Sequence, residues 1–232
     1  MKRGFKIIIV VLISIIVILF IVLRIPTKHF SNEVKDFFAI RDDEIAKKYA
    51  PIVLTTNEYG QATNLYYRAA KDKEGNTYFA YHFLWNREVN KTKGIKPFLN
   101  RYLYTGGLSV QKFMYGKGDI EVIEIKLDNK GKVDRITFET PENYDPYAFS
   151  VKHKKVVLEG DIEQNPKFKV ASWNHLFYYV HDDKKIEGNF IANKLEPSYF
   201  EENLWNEYEM FKEKETILRK NRAHYEYERK GA

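Results

Sequence analysis

DIEVIEIKL, Asp119 to Leu127, is followed by the turn Asp128-Asn129-Lys130-Gly131-Lys132 and then by VDRITFET, Val133 to Thr140. Alternate residues of a strand share a face, so Ile123, Ile125 and Leu127 form one apolar row. Two such runs around a short Asn- and Gly-bearing turn predict a β-hairpin. Working outward, Leu65–Ala70 (LYYRAA) and Thr77–Trp85 (TYFAYHFLW) flank a polar loop that contains Gly75, a second hairpin signal. Shorter strands are predicted at Lys155–Leu158, Phe168–Ala171 and Leu176–Val180. Short strands at this spacing, rich in tyrosine and phenylalanine, predict a mainly β chain folded as an antiparallel β-sandwich over residues 51–195.

Both termini break the strand pattern. At the C-terminal end, 196–232, Ser198 and Glu201 form a capping-box pattern. Phe200, Leu204, Tyr208, Phe211 and Leu218 recur at helical spacing, which predicts an amphipathic helix that packs on the sandwich or engages a partner. At the N-terminal end, Phe5–Leu23 (FKIIIVVLISIIVILFIVL) holds one lysine and one serine as its only polar side chains. At about 1.5 Å rise per residue it spans the roughly 30 Å hydrocarbon layer, and Lys6 is near enough to its end to reach the interface. No small-x-small cleavage pattern follows it, so an uncleaved signal-anchor is expected over 1–25, with the lipid bilayer as its partner. Lys2, Arg3 and Lys6 before the helix against Arg24 and Lys28 after it place the N-terminus in the cytoplasm by the positive-inside tendency. The cell membrane is the expected location, crossed once, with the remaining chain extracytoplasmic. Residues 26–50 read as a stalk: Pro26 stops the anchor, Ser31 caps a short helix, Arg41–Tyr49 (RDDEIAKKY) is an amphipathic turn or two, and Pro51 ends it.

The formal charge of +6 belongs mostly to the anchor. Without Lys2, Arg3, Lys6 and Arg24, 34 basic residues face 32 acidic ones. Nucleic acid is therefore not an expected partner, because phosphate binding needs a clustered basic face, and only Arg219–Arg222 offers one. Without cysteine there are neither disulfides nor thiolate metal sites.

Asp119 and Glu121 are the leading chemical feature. Both fall on the face of Ile123, Ile125 and Leu127, where carboxylates would leave either a hydrated strand end or oxygen ligands for a hard cation such as calcium or magnesium. The six histidines are scattered, with no HExxH spacing. His82 reads as a core imidazole, and His175 and His181 flank an aromatic strand. There is no GxSxG elbow; Gly106-Gly107 reads as a turn; Tyr102, Tyr104 and Tyr115 are candidates to line a groove.

NLYYRAAKDKEGNTYFAYHFLWN (Asn64–Asn86), GDIEVIEIKLDNKGKV (Gly118–Val133) and Val170-Ala171-Ser172-Trp173-Asn174-His175 together resemble the β-sandwich superfamily of necrosis-inducing proteins and vacuolar protein-sorting-associated domains. The likeness runs from about Tyr49 to Val180. It implies a sandwich and, from the necrosis-inducing branch, a divalent cation bound with the help of Asp119 and Glu121. Ile120 stands where that branch has tryptophan and Gly116 where it has histidine, so the toxin-type ligand set is incomplete. The expected function is a membrane-anchored, extracytoplasmic domain for binding or envelope-associated interaction, with a protein or envelope partner. The alternative is a metal-assisted hydrolase of envelope material, in which Asp119, Glu121 and His175 would converge as ligands.

Overall fold

The two hairpins form the middle of a seven-stranded sheet. A computed structural model describes residues 3–24, 36–88, 90–106, 117–181, 188–193, 195–208 and 210. Helix α1 is Arg3–Arg24, strand β1 Phe37–Ile40, α2 Asp43–Tyr49, β2 Ile52–Thr55, β3 Asn64–Asp72 and β4 Thr77–Trp85. After β4 come α3, Ile95–Asn100, and a π-helical turn, Arg101–Thr105. Then follow β5 Asp119–Leu127, β6 Val133–Glu142, β7 Lys152–Glu159, β8 Lys167–Val170, β9 Phe177–Tyr179, β10 Ile191–Asn193, β11 Ser198–Tyr199 and α4 Glu202–Glu207.

The large sheet runs β1-β3-β4-β5-β6-β7, with β11 added beside β3; the small sheet runs β10-β2-β8-β9. Pairing is antiparallel except for β2–β8 and β11–β3. Thr77↔Leu127 and Trp85↔Asp119 fix the central register, and a bulge interrupts β5–β6 at Lys126/Leu127. A mainly β chain with antiparallel sheets is what the alternating runs predicted.

Every residue of β4 is buried, because each of its faces is covered by a different part of the chain. Its inner face, Phe79, Tyr81, Phe83 and Trp85, joins Ile123 and Ile125 of β5 and meets Val53, Phe168, Val170 and Phe177 of the small sheet in one core. Phe83–Phe177 and Phe138–Phe168 cross between the sheets at 6.0 and 5.1 Å, nearly edge to face, the geometry aromatic quadrupoles favour. The outer face, with Tyr78, Ala80 and His82, is covered by Phe37, Phe200 and Trp205. β7 closes one edge of the sheet with exposed Lys152, Lys154 and Lys155, charges that discourage strand addition.

The expected stalk divides. Residues 26–35, including Pro26 and Ser31, lie outside the described residues, whereas Phe37–Tyr49 is part of the domain. β1 pairs with β3, and Ala46 and Tyr49 of α2 are core residues. Asp42 caps α2, accepting from the amide of Ile45 at 3.0 Å. The C-terminal helix also begins later than its capping pattern suggests. Ser198 and Tyr199 are drawn into the sheet beside Tyr66 and Tyr67, and the amide of Phe200 donates to the carbonyl of Tyr67, so α4 starts only at Glu202. Phe211, Leu218 and Arg219–Arg222 lie outside the described residues.

α1 has 22 residues, and its apolar side chains from Ile7 to Leu19, together with Ile21, are largely exposed. Its side chains are described without a break only over 6–19. Among the described residues, of which this run is the longest in α1, no helix is long and apolar enough to cross a membrane.

Candidate functional site

Asp119 and Glu121 open β5, and the register sets them opposite Trp85 and Phe83. As the strand period requires, they share the core-facing side with Ile123, Ile125 and Leu127. They are not hydrated strand-end residues: Asp119 is 7 % exposed and Glu121 3 %. Burying carboxylates is costly without compensating partners, and for Asp119 the partner is His175.

His175 sits in the turn between β8 and β9. The turn is closed by Ala171 N–H donating to the Leu176 carbonyl and His175 N–H to the Ser172 carbonyl. Ser172 Oγ accepts from the amide of Leu176 and donates to Asn174 Oδ1 at 2.7 Å. His175 itself takes φ 60°, a left-handed conformation uncommon for a residue with a side chain and often found at functional sites. This backbone brings the imidazole flat against the Trp85 indole, 4.3 Å between ring centres and 6° from parallel.

His175 Nδ1 lies 2.6 Å from Asp119 Oδ2, and Nε2 lies 3.0 Å from the Tyr59 carbonyl. A carbonyl only accepts, so in this arrangement Nε2 donates to Tyr59 and Nδ1 faces the carboxylate. The pair is a short hydrogen bond lying under an indole. Two of the three sequence-predicted ligands are thus brought together, and the third, Glu121, is two residues along the same strand face.

A second carboxylate–histidine pair borders the same turn. His153 Nδ1 is 2.5 Å from Glu139 Oε2, and His153 Nε2 is 3.1 Å from Asn174 Nδ2. Trp173 N–H donates to the Tyr144 hydroxyl at 3.3 Å. Burial and the neighbouring Tyr59 hydroxyl push the Tyr144 phenol well above its ordinary range. Neither Glu139 nor His153 stands out in the sequence. His153 is embedded in the lysine-rich KHKK of an edge strand, and the only signal for Glu139 is an acid inside the apolar run ITFET.

A cation that took His175 as a ligand would have to displace an existing bond. Both His175 nitrogens face acceptors, one Asp119 oxygen is engaged, and among the described residues no three histidine, aspartate or glutamate side chains are grouped to hold an ion. His82 lies elsewhere, on the outer face, fully buried edge-on to Phe200 at 5.2 Å and Trp205 at 5.7 Å. Burial, aided by the Arg68 charge, lowers its pKa to about 3, against backbone hydrogen bonds at Ala80 and Tyr66 that pull the other way. It is a neutral core imidazole. Gly116 and Tyr115 lie outside the described residues.

No family model, no curated protein and no solved structure matches this chain.

Proposed function

We propose that the chain is a single-pass membrane protein, its N-terminus in the cytoplasm and its β domain outside, that binds a partner of the cell envelope through the end of the sheets where Asp119 and His175 meet. The observation that carries this reading is α1. Its 22 residues, at about 1.5 Å each, are about 33 Å long, and Ile7, Ile8, Val10, Leu12, Ile15, Ile18 and Ile21, on all sides of it, are exposed. A helix apolar all round is stable only in a protein core or a bilayer, and among the described residues nothing buries these side chains. In cells, the full-length chain should resist alkaline extraction from membranes, and protease added from outside should digest the β domain. Release by alkali, or protection of the domain in intact cells, would overturn the reading.

A second reading keeps a divalent cation, calcium or magnesium, at Asp119 and Glu121. Two carboxylates buried two residues apart on one strand face favour it. Calcium at 100 times its dissociation constant would stabilise the fold by about 2.7 kcal/mol. The test is thermal unfolding with calcium, magnesium or chelator, for the parent and for Asp119→Ala/Glu121→Ala. A metal-dependent rise lost in the double variant supports the site, and an unchanged midpoint removes it. The metal-assisted hydrolase reading depends on the same outcome.

A further inference from the structure

Residues 86–88 and 90–106, which follow β4, carry several exposed apolar side chains. The segment is firmly held. Asn90 Nδ2 donates to the Pro146 carbonyl and Asn100 Nδ2 to the Phe149 carbonyl, both at 2.8 Å. Arg101 reaches back to the carbonyls of Asn90 and Thr92 at 2.5 and 2.8 Å. Pro97 and Asn100 are the buried side of α3. The other side is bare: Ile95 is 80 % exposed, Phe98 57 %, Tyr102 56 % and Tyr147, on the adjoining loop, 58 %. Single exposed apolar residues are ordinary, but a rigid cluster of them marks an interaction surface.

Charge indicates what this surface meets. Arg87, Lys91, Lys93, Lys96 and Arg101 lie on this segment, the first four exposed, against one acid, Glu88, which is buried. The adjoining loop adds Glu142 and Asp145, followed by Lys152 and Lys154. Aromatic and aliphatic side chains interleaved with lysines match the boundary between acyl chains and anionic headgroups. The bilayer is within reach. The domain is entered at Phe37, which pairs with Asp72, one strand length of about 30 Å from the end that carries Trp85 and this segment. The eleven residues 25–35 extend to at most about 36–40 Å. Resting on the anchored reading above, we propose that Ile95, Phe98, Tyr102 and Tyr147 insert into the anionic surface of the bilayer that α1 crosses, with Lys91, Lys93 and Lys96 on the headgroups. The β domain would then lie against its own membrane, with the Asp119–His175 end near the lipid.

The chain has no cysteine, so single-cysteine spin labels report cleanly. Full-length Ile13→Cys, Phe98→Cys and Lys130→Cys proteins would be labelled and placed in vesicles of phosphatidylcholine with or without phosphatidylglycerol. Collisions of each label with oxygen and with a water-soluble relaxant would then be measured. The expected result is that in anionic vesicles the Phe98 label loses most of its aqueous collisions, whereas the label at Lys130, in the turn at the opposite end, keeps them. Lys91→Glu/Lys93→Glu/Lys96→Glu should return the Phe98 label to water. A Phe98 label that stays in water, or is shielded from both reagents as at a protein contact, overturns the proposal while an Ile13 label in lipid leaves the anchor standing. An Ile13 label in water overturns the anchor itself.

Discussion

β4 carries a buried histidine against each of its faces, and the two are held in opposite ways. On the inner face His175 lies flat on Trp85, with a carboxylate at one nitrogen and a carbonyl at the other. On the outer face His82 stands edge-on to Phe200 and Trp205, with its pKa lowered to about 3. The same side chain is hydrogen-bonded to a carboxylate in one layer and packed as a neutral imidazole between aromatic rings in the other. What differs is the neighbour: Asp119 faces the inner imidazole, whereas burial and then the Arg68 charge hold the outer one neutral. Burial alone therefore does not decide what a histidine does.

The largest effect should come from breaking the inner pair. His175→Ala leaves the Asp119 carboxylate buried without its imidazole, which costs roughly 3–5 kcal/mol. Denaturant unfolding would show this as a lower midpoint, and Asp119→Ala in the same background should recover part of the loss. Equal losses in the single and double variants would mean that the two residues do not act as a pair. Next comes the outer layer. Phe200 is fully buried and stacks on Tyr66 at 4.8 Å, so Phe200→Ala should cost about 3 kcal/mol. Amide exchange should then open the outer strands, β11 and β3, before the inner core, because the small sheet makes no use of this residue.

Acid separates the two histidines further. His82 stays neutral in the fold down to about pH 3, while in the unfolded chain it protonates near 6.5. Its folded pKa is depressed, so the unfolded state binds the extra proton. Stability is whole above pH 6.5 and falls by up to about 1.4 kcal/mol per pH unit as pH drops toward 3. His82→Phe should flatten this slope over that window even if its own repacking lowers stability throughout. An unchanged slope would show that His82 does not set the acid sensitivity.

The parts legible in the sequence were those governed by period and turn chemistry. TYFAYHFLW and DIEVIEIKL became β4 and β5 with the bounds they suggest, and the side on which Asp119 and Glu121 lie follows from alternation alone. Their burial was not legible, since it depends on a turn fifty residues later that delivers His175 in a left-handed conformation. His153 and Glu139 meet across two strands with no local signal in either. β1 was hidden in FFAI, four residues that form a strand only because the edge of β3 is open to them, and the strand Ser198–Tyr199 displaced a capping pattern for a similar reason. Local rules describe the hairpins; the site is built by contacts between distant segments, for which a single sequence holds no period.

The smallest effect, and the sharpest contrast with the inner pair, concerns Arg68 and Glu202. Arg68 Nε donates to the Phe200 carbonyl at 2.9 Å, its guanidinium lies 4.4 Å from the Trp205 ring centre, and its salt bridge to Glu202 measures 3.1 Å. Glu202 is exposed, with 62 % of its side chain in solvent, so water screens the pair and Glu202→Gln should cost less than about 1 kcal/mol. That loss should vanish at high salt. Arg68→Lys should cost more than Glu202→Gln at any salt, because a lysine cannot hold a guanidinium over the indole while also making the bond to the carbonyl. Measuring both variants at low and high salt separates the two contributions. A salt-sensitive loss in Arg68→Lys as large as that of His175→Ala would mean that charge, not packing, holds the C-terminal segment on the sheet, and the contrast between the faces of β4 would fail.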